Sequence, residues 1–144
     1  MNLFGMLEVS GSALTAERLR AEIVSANMAN AESTRTPQGG AYRRELVVFR
    51  ARPVQRFRLL FASLRPHVRG GVQIDRVVAD ASPLPRRYEP GHPDADANGY
   101  VTYPNVDPVL EMTDLLSAVR AYQLNASAVQ ATKNMIQQSL QILS

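Results

Sequence analysis

Apolar residues recur with a helical period at both ends of this chain, and the longer pattern is C-terminal. From Leu115 onward, Leu115, Val119, Tyr122, Ala126, Val129, Lys133, Ile136, Leu140 and Leu143 alternate spacings of four and three. Only Lys133 interrupts that heptad seam. A second row, Ser117, Ala121, Leu124, Ala128, Ala131, Met135, Gln138 and Ile142, repeats the spacings two residues out of phase. Two residues turn a helix by about 200°, so the rows lie on nearly opposite faces. A helix that is apolar on two faces is held between neighbours, and one partner helix does not cover it. A third row, Gln123, Ser127, Gln130, Asn134, Gln137 and Gln141, is polar and carries no charge. Solvent faces normally carry charges, and an uncharged wall suits a water-filled passage through which other chains slide. Asp107 and Pro108 supply the start, a capping carboxylate followed by proline at the first helical position.

The N-terminal pattern is weaker. Leu7, Leu14, Ala21 and Met28 fall seven apart with Val24 and Ala31 between them, and Ser10 and Glu17 occupy the remaining seam positions. The alanines at 13, 16, 26 and 29 permit close helix approach, and the run from Ser33 to Gly40 ends the helix. All nine prolines lie between Pro37 and Pro108. Because proline removes a backbone donor and clashes inside a helix, helical ends surround a strand-and-turn insert. Leu46 to Phe49, the stretch through Val72, Ile74, Val77 and Val78, and Gly99 to Tyr103 read as its short strands. The expected fold is therefore α+β: long terminal helices packing as a coiled coil around a small, loop-rich β middle. The expected divisions are residues 1–36, 37–107 and 108–144.

Charge follows these divisions. Residues 1–42 hold three arginines and four acids, residues 43–87 eleven arginines and three acids, and residues 88–144 two cations and six acids. The net values of −1, +8 and −4 sum to the chain's +3. The basic middle, with Arg50, Arg52, Arg56 and Arg58 among Phe49, Phe57 and Phe61, poses a nucleic-acid-binding module with an oligomerising tail as the main rival reading. No recognised nucleic-acid motif accompanies it, and no nucleic-acid partner is expected. A secretion chaperone is a second rival, which requires a stable oligomer with fully helical ends.

Candidate chemistry is sparse. With no cysteine among 144 residues, disulfides, thiolate metal sites and cysteine nucleophiles are excluded. Asp94, Asp96, Asn98 and Gly99 copy the opening of a calcium loop, yet position 12 is Asn105 where a bidentate glutamate belongs. The alternative is an Asx-rich turn feeding the strand at Tyr100. His92 stands near these acids without a second histidine or an activated nucleophile, and no phosphate-binding loop exists. No catalytic, metal or cofactor site is expected. No basic leader precedes an apolar run, and Leu59 to Ala62, the longest strongly apolar run, is far short of a membrane span. The sequence is thus expected to be cytosolic, or exported by a route that reads no cleavable signal.

Several stretches resemble one family. The run from Ser10 to Arg20 resembles its N-terminal helix. Ala26 to Asn30, followed by Thr36 to Arg44, resembles the signature of rod and hook proteins. Tyr88 to Val101, Pro104 to Asp107 and Glu111-Met112 are the most distinctive marks, and Arg120, Tyr122 and Asn125 continue them into the last helix. The chain is similar to the bacterial flagellar basal-body rod proteins, in the form of a proximal rod subunit; the stretch from Ala51 to Gly71 departs from it. The resemblance implies a structural, non-enzymatic subunit of a helical rod crossing the periplasm. Both terminal helices would build its inner tube, and the middle would pack outside. The rod would carry motor torque, pass exported subunits through its bore, and receive its own subunits through the flagellar type III export apparatus. Partners would be copies of itself and other rod proteins. The expected subunit interface comprises Leu7, Leu14, Val24, Met28, Leu115, Val119, Tyr122, Leu124, Val129, Met135, Ile136 and Leu140. The expected bore lining is Gln123, Ser127, Gln130, Asn134, Gln137 and Gln141. Such exposed seams imply partial disorder in the isolated subunit and folding on assembly.

Overall fold

The structure is a computed structural model that describes residues 3–52 and 70–143. Two helices and four strands follow in the order α1 (Leu3–Ala29), β1 (Glu45–Ala51), β2 (Val72–Ala79), β3 (Arg86–Tyr88), β4 (Tyr100–Thr102) and α2 (Pro108–Leu143). The architecture is α+β. Most of the arginine-rich stretch from Ala51 to Gly71, including Arg56, Arg58 and the Leu59–Ala62 run, lies outside the described residues.

Helix α2 begins at its cap. Asp107 Oδ1 accepts from the amides of Val109 at 2.9 Å and Leu110 at 3.4 Å, satisfying donors that the first helical turn leaves free. Pro108 sits where a missing N–H costs nothing. At the other end of the hairpin's closed side, the Asn30 amide and its Nδ2 both donate to the Ala26 carbonyl, finishing α1. The chain then reverses through Gly39 and Gly40, at φ 91° and 74°, conformations that residues with a Cβ rarely adopt.

The two helices run antiparallel, because Asn27 meets Glu111 while Arg20 meets Asp114 further along α2. Helix α2 has 36 residues and α1 has 27, so α2 outruns its partner by about 14 Å. The row of α2 turned toward α1 comprises Leu115, Ala118, Asn125, Val129, Thr132 and Ile136, all buried or half-buried. Three of these six, Ala118, Asn125 and Thr132, are small or polar. Thr132 Oγ1 and Asn125 Nδ2 each donate to their own helix, to Ala128 O and Ala121 O at 2.8 Å, which leaves their carbon atoms to face α1.

Strands β1 and β2 form an antiparallel ribbon from Glu45↔Ala79 to Ala51↔Val72, with a bulge that leaves Asp75 without an opposite residue. The ribbon lies along α1. Asn27 holds Glu45 at one end, and Ser12 Oγ accepts from the Val72 amide at 3.1 Å at the other. Fifteen helical residues and seven strand residues both span about 22 Å, so the two ties are in register. Strands β3 and β4 pair separately, Arg86↔Thr102 to Tyr88↔Tyr100. Val101, the middle residue of β4, is fully buried.

Candidate subunit interface and the joint beneath it

A polar joint ties the helices to the ribbon. Asn27 is fully buried, and every hydrogen-bonding position of its amide is used. Its Nδ2 donates to Glu45 O at 2.9 Å and to Glu111 Oε2 at 3.0 Å; its Oδ1 accepts from the Glu45 amide and the Tyr42 hydroxyl, each at 2.9 Å. Glu111 is also fully buried, and its other oxygen takes Arg44 Nε. Arg44 reaches on to Asp114 at 3.3 Å, and Arg20 holds the second oxygen of Asp114 at 3.4 Å. The Arg44 amide in turn donates to Asn105 Oδ1 at 2.9 Å. Burial, with the Glu45 and Glu111 carboxylates adding to it, raises the Tyr42 phenol above its ordinary value and keeps the hydroxyl a donor. α1, the connecting loop, β1 and α2 are therefore fixed together by one satisfied network.

The acidic loop is an internal turn. Asp96 Oδ1 accepts from the amides of Asn98 at 2.8 Å and Tyr100 at 2.9 Å, and its Oδ2 pairs with Arg86. The Tyr100 amide bond, then the Asn98 amide bond and the Arg86 charge, hold this carboxyl below its usual range. Asp94 accepts from Thr34 Oγ1 at 2.8 Å. This is the Asx-rich turn, with its carboxylates already engaged. Arginines of the middle are engaged as well: Arg50 pairs with Asp75 at 2.9 Å and Arg52 with Glu8 at 3.9 Å, while Arg87 lies over the Tyr103 ring at 4.7 Å. His92 Nδ1 accepts from the Asp94 amide. Among the described residues, no helix is long and apolar enough to cross a membrane.

Both helices expose large apolar side chains. The buried apolar side chains among the described residues are Ala16, Val24, Val101, Pro104 and Ala118, of which Val101 and Ala118 are fully buried. Of the residues expected at an interface, Val24 is buried on α1, and Leu115, Val129 and Ile136 are half-buried in the row facing α1. Leu7, Leu14 and Met28 are half-buried on α1. Val119, Tyr122, Leu124, Met135 and Leu140 are exposed, Leu124 at 72%. The six uncharged polar residues, Gln123, Ser127, Gln130, Asn134, Gln137 and Gln141, are all exposed; from the buried Ala118, the 100° period carries this row to the far side of α2. The first three turns of α2 also expose Val109, Leu110, Met112 and Leu116. Neither period nor hydropathy singles out Asn27, Arg44 and Glu111; their signal lay in the stretches that carry the family resemblance.

Two long terminal helices with this much uncovered apolar surface, rooted in a rigid polar joint, define an assembly subunit. A family model described as Flagella basal body rod protein matches residues 7–35, and one described as Flagellar basal body rod FlgEFG protein C-terminal matches residues 97–142. The flagellar basal-body rod protein FlgC of Borreliella burgdorferi is 39% identical over 150 residues, covering 99% of each chain. That of Bacillus subtilis is 39% identical over 148 residues with the same coverage, and that of Salmonella typhimurium is 39% identical over 142, covering 97% of each. The chain belongs to the FlgC family of flagellar basal-body rod proteins, and is a rod subunit of the flagellar basal body.

Proposed function

We propose that this chain builds part of a hollow helical shaft. Residues 1–36 and 108–144 form its inner tube through coiled-coil packing with neighbouring helices, and residues 37–107 pack outside. The observation that carries this reading is the apolar surface of α2, from Val109 to Ile142, which α1 does not cover. Burying each such leucine or methionine against a neighbour contributes about 1.5–3 kcal/mol, enough over several residues to offset the ordering entropy of the ends. The joint around Asn27 gives the shaft torsional stiffness, since torque applied to the β ribbons reaches the helices through hydrogen bonds rather than through a loose linker. The row from Gln123 to Gln141 lines the bore, where exported subunits pass without ionic attachment. The subunit has no catalytic role, leaves the cell interior through the type III export apparatus without a cleaved signal, and works in the periplasm beside other rod proteins.

Electron microscopy of cell envelopes from a strain lacking this chain tests the reading. Motor bases without rods or hooks, restored when the chain is supplied again, are expected. Intact rods in the deletion strain contradict it.

A further inference from the structure

Among the described residues, neither exposed cation of α2, Arg120 or Lys133, has an ion pair, and Arg120 is the one set between two exposed leucines. The Arg120 guanidinium makes no ion pair or hydrogen bond among the described residues, whereas those of Arg44, Arg50, Arg52 and Arg86 each hold a carboxylate. Arg120 stands four residues from Leu116 and four from Leu124, and these side chains are exposed at 50% and 72%. Side chains at that spacing form one ridge along a helix. Ala118, two residues before Arg120, is fully buried against α1, so the ridge lies about 200° away from the intramolecular contact.

The complement lies along the seam between the helices. A groove of about 670 Å³ runs between Glu17, Ala21 and Glu22 of α1 and Ala118, Val119 and Tyr122 of α2. Its alanine floor leaves room for side chains from outside, and its walls are apolar. Its charges are Glu17, Glu22 and Arg18, a net of −1. Glu22 pairs with Arg18 in solvent at 2.9 Å. Glu17 is supported only at 3.6 Å, by the Arg20 guanidinium that also serves Asp114, and its Oε2 is buried without a hydrogen bond.

Resting on the rod-subunit reading, we propose that this groove receives the Leu116–Arg120–Leu124 ridge of a second copy of the chain. Both surfaces are built on rows four residues apart, the commonest way that helices interlock. The guanidinium meets the carboxylates at the groove, and the two leucines cover its apolar walls. Groove and ridge are different surfaces, so the contact is heterologous and propagates instead of closing into a dimer. The ridge ends at Leu124 where the uncharged row begins at Gln123, so α2 docks with its first half and faces the bore with its second.

The absence of native cysteine makes the test clean. Glu22→Cys and Arg120→Cys are carried on two copies expressed together, and envelopes are oxidised. A disulfide-linked dimer that forms only when both variants are present is expected; its absence overturns the proposal. Arg120→Glu alone and Glu22→Arg alone are expected to lower the number of assembled rods at least tenfold, and the double variant to recover at least half the wild-type number. Normal assembly with Arg120→Glu, or no recovery in the double variant, overturns it. Both positions are exposed, and the helical signal of the purified variants verifies folding. Should these outcomes fail while the unaltered chain still restores rods to a deletion strain, the docking contact is wrong and the rod reading stands.

Discussion

Replacing Asn27 by alanine removes four hydrogen bonds from a position that water does not reach. Three join neutral groups, worth about 1 kcal/mol each, and the bond to Glu111 joins a charged one, worth about 2. Glu111 is then left buried with one donor fewer, and the Glu45 amide and carbonyl lose their partners. Water entering the vacated space offsets part of this, so a loss of about 3–5 kcal/mol is expected. That is a large share of the roughly 5–15 kcal/mol available to a domain. In a urea titration followed by the helical signal, with a slope of about 1.5 kcal/mol/M, the midpoint falls by about 2–3 M. Asn30→Ala is the internal control. Asn30 belongs to the same short motif but bonds only to Ala26 O and Ser33, at the half-exposed end of α1, so about 1 kcal/mol is expected. A loss below 1 kcal/mol for Asn27→Ala, or equal losses at the two positions, refutes the claim that one buried amide holds the joint.

Gly99→Ala should cost about 1–3 kcal/mol and loosen β3 and β4, because φ is 78° there and a Cβ would stand 2.9 Å from Tyr88 Cε2; a thermal melt reads it. The depressed carboxyls of Asp96 and Asp80, held by the amide bonds of Tyr100 and Asn98 and by the Ser82 bonds respectively, contribute stability above the ordinary aspartate range, which is lost as pH falls through their lowered values. Acid titrations should therefore show stability declining below about pH 4, with a shallower decline in Asp96→Asn. Leu124→Glu should leave the monomer's melting unchanged within about 0.5 kcal/mol, since the side chain is 72% exposed, yet abolish incorporation into rods counted by electron microscopy. Val129→Glu should instead unfold the hairpin, because Val129 faces α1.

Local chemistry was the readable part of the sequence. Asp107 and Pro108 announced the start of α2 because a cap is made by adjacent residues, and the β-branched runs at Leu46–Phe49 and Val72–Val78 announced β1 and β2. Strand β3 is Arg86, Arg87 and Tyr88, all exposed, and it is a strand only because Tyr100–Thr102 lies opposite. The inner row of α2 was half legible. Leu115, Val129 and Ile136 are in it, but Ala118, Asn125 and Thr132 stand between them where the heptad seam has Val119, Ala126 and Lys133. Helices this close need small residues, and polar ones serve when their own helix absorbs the polar atom. The joint was illegible for a related reason. Asn27, Arg44 and Glu111 are polar residues far apart in the chain, and their pairing exists only once both helices and β1 have met.

The most direct test is a cryo-electron microscopy map of the assembled rod at side-chain detail. The account predicts α2 innermost, with Gln123, Ser127, Gln130, Asn134, Gln137 and Gln141 facing the bore and the apolar first turns of α2 covered by protein. A bore lined by α1 or by the β ribbons, or one in which Leu116 and Leu124 face open water, contradicts it.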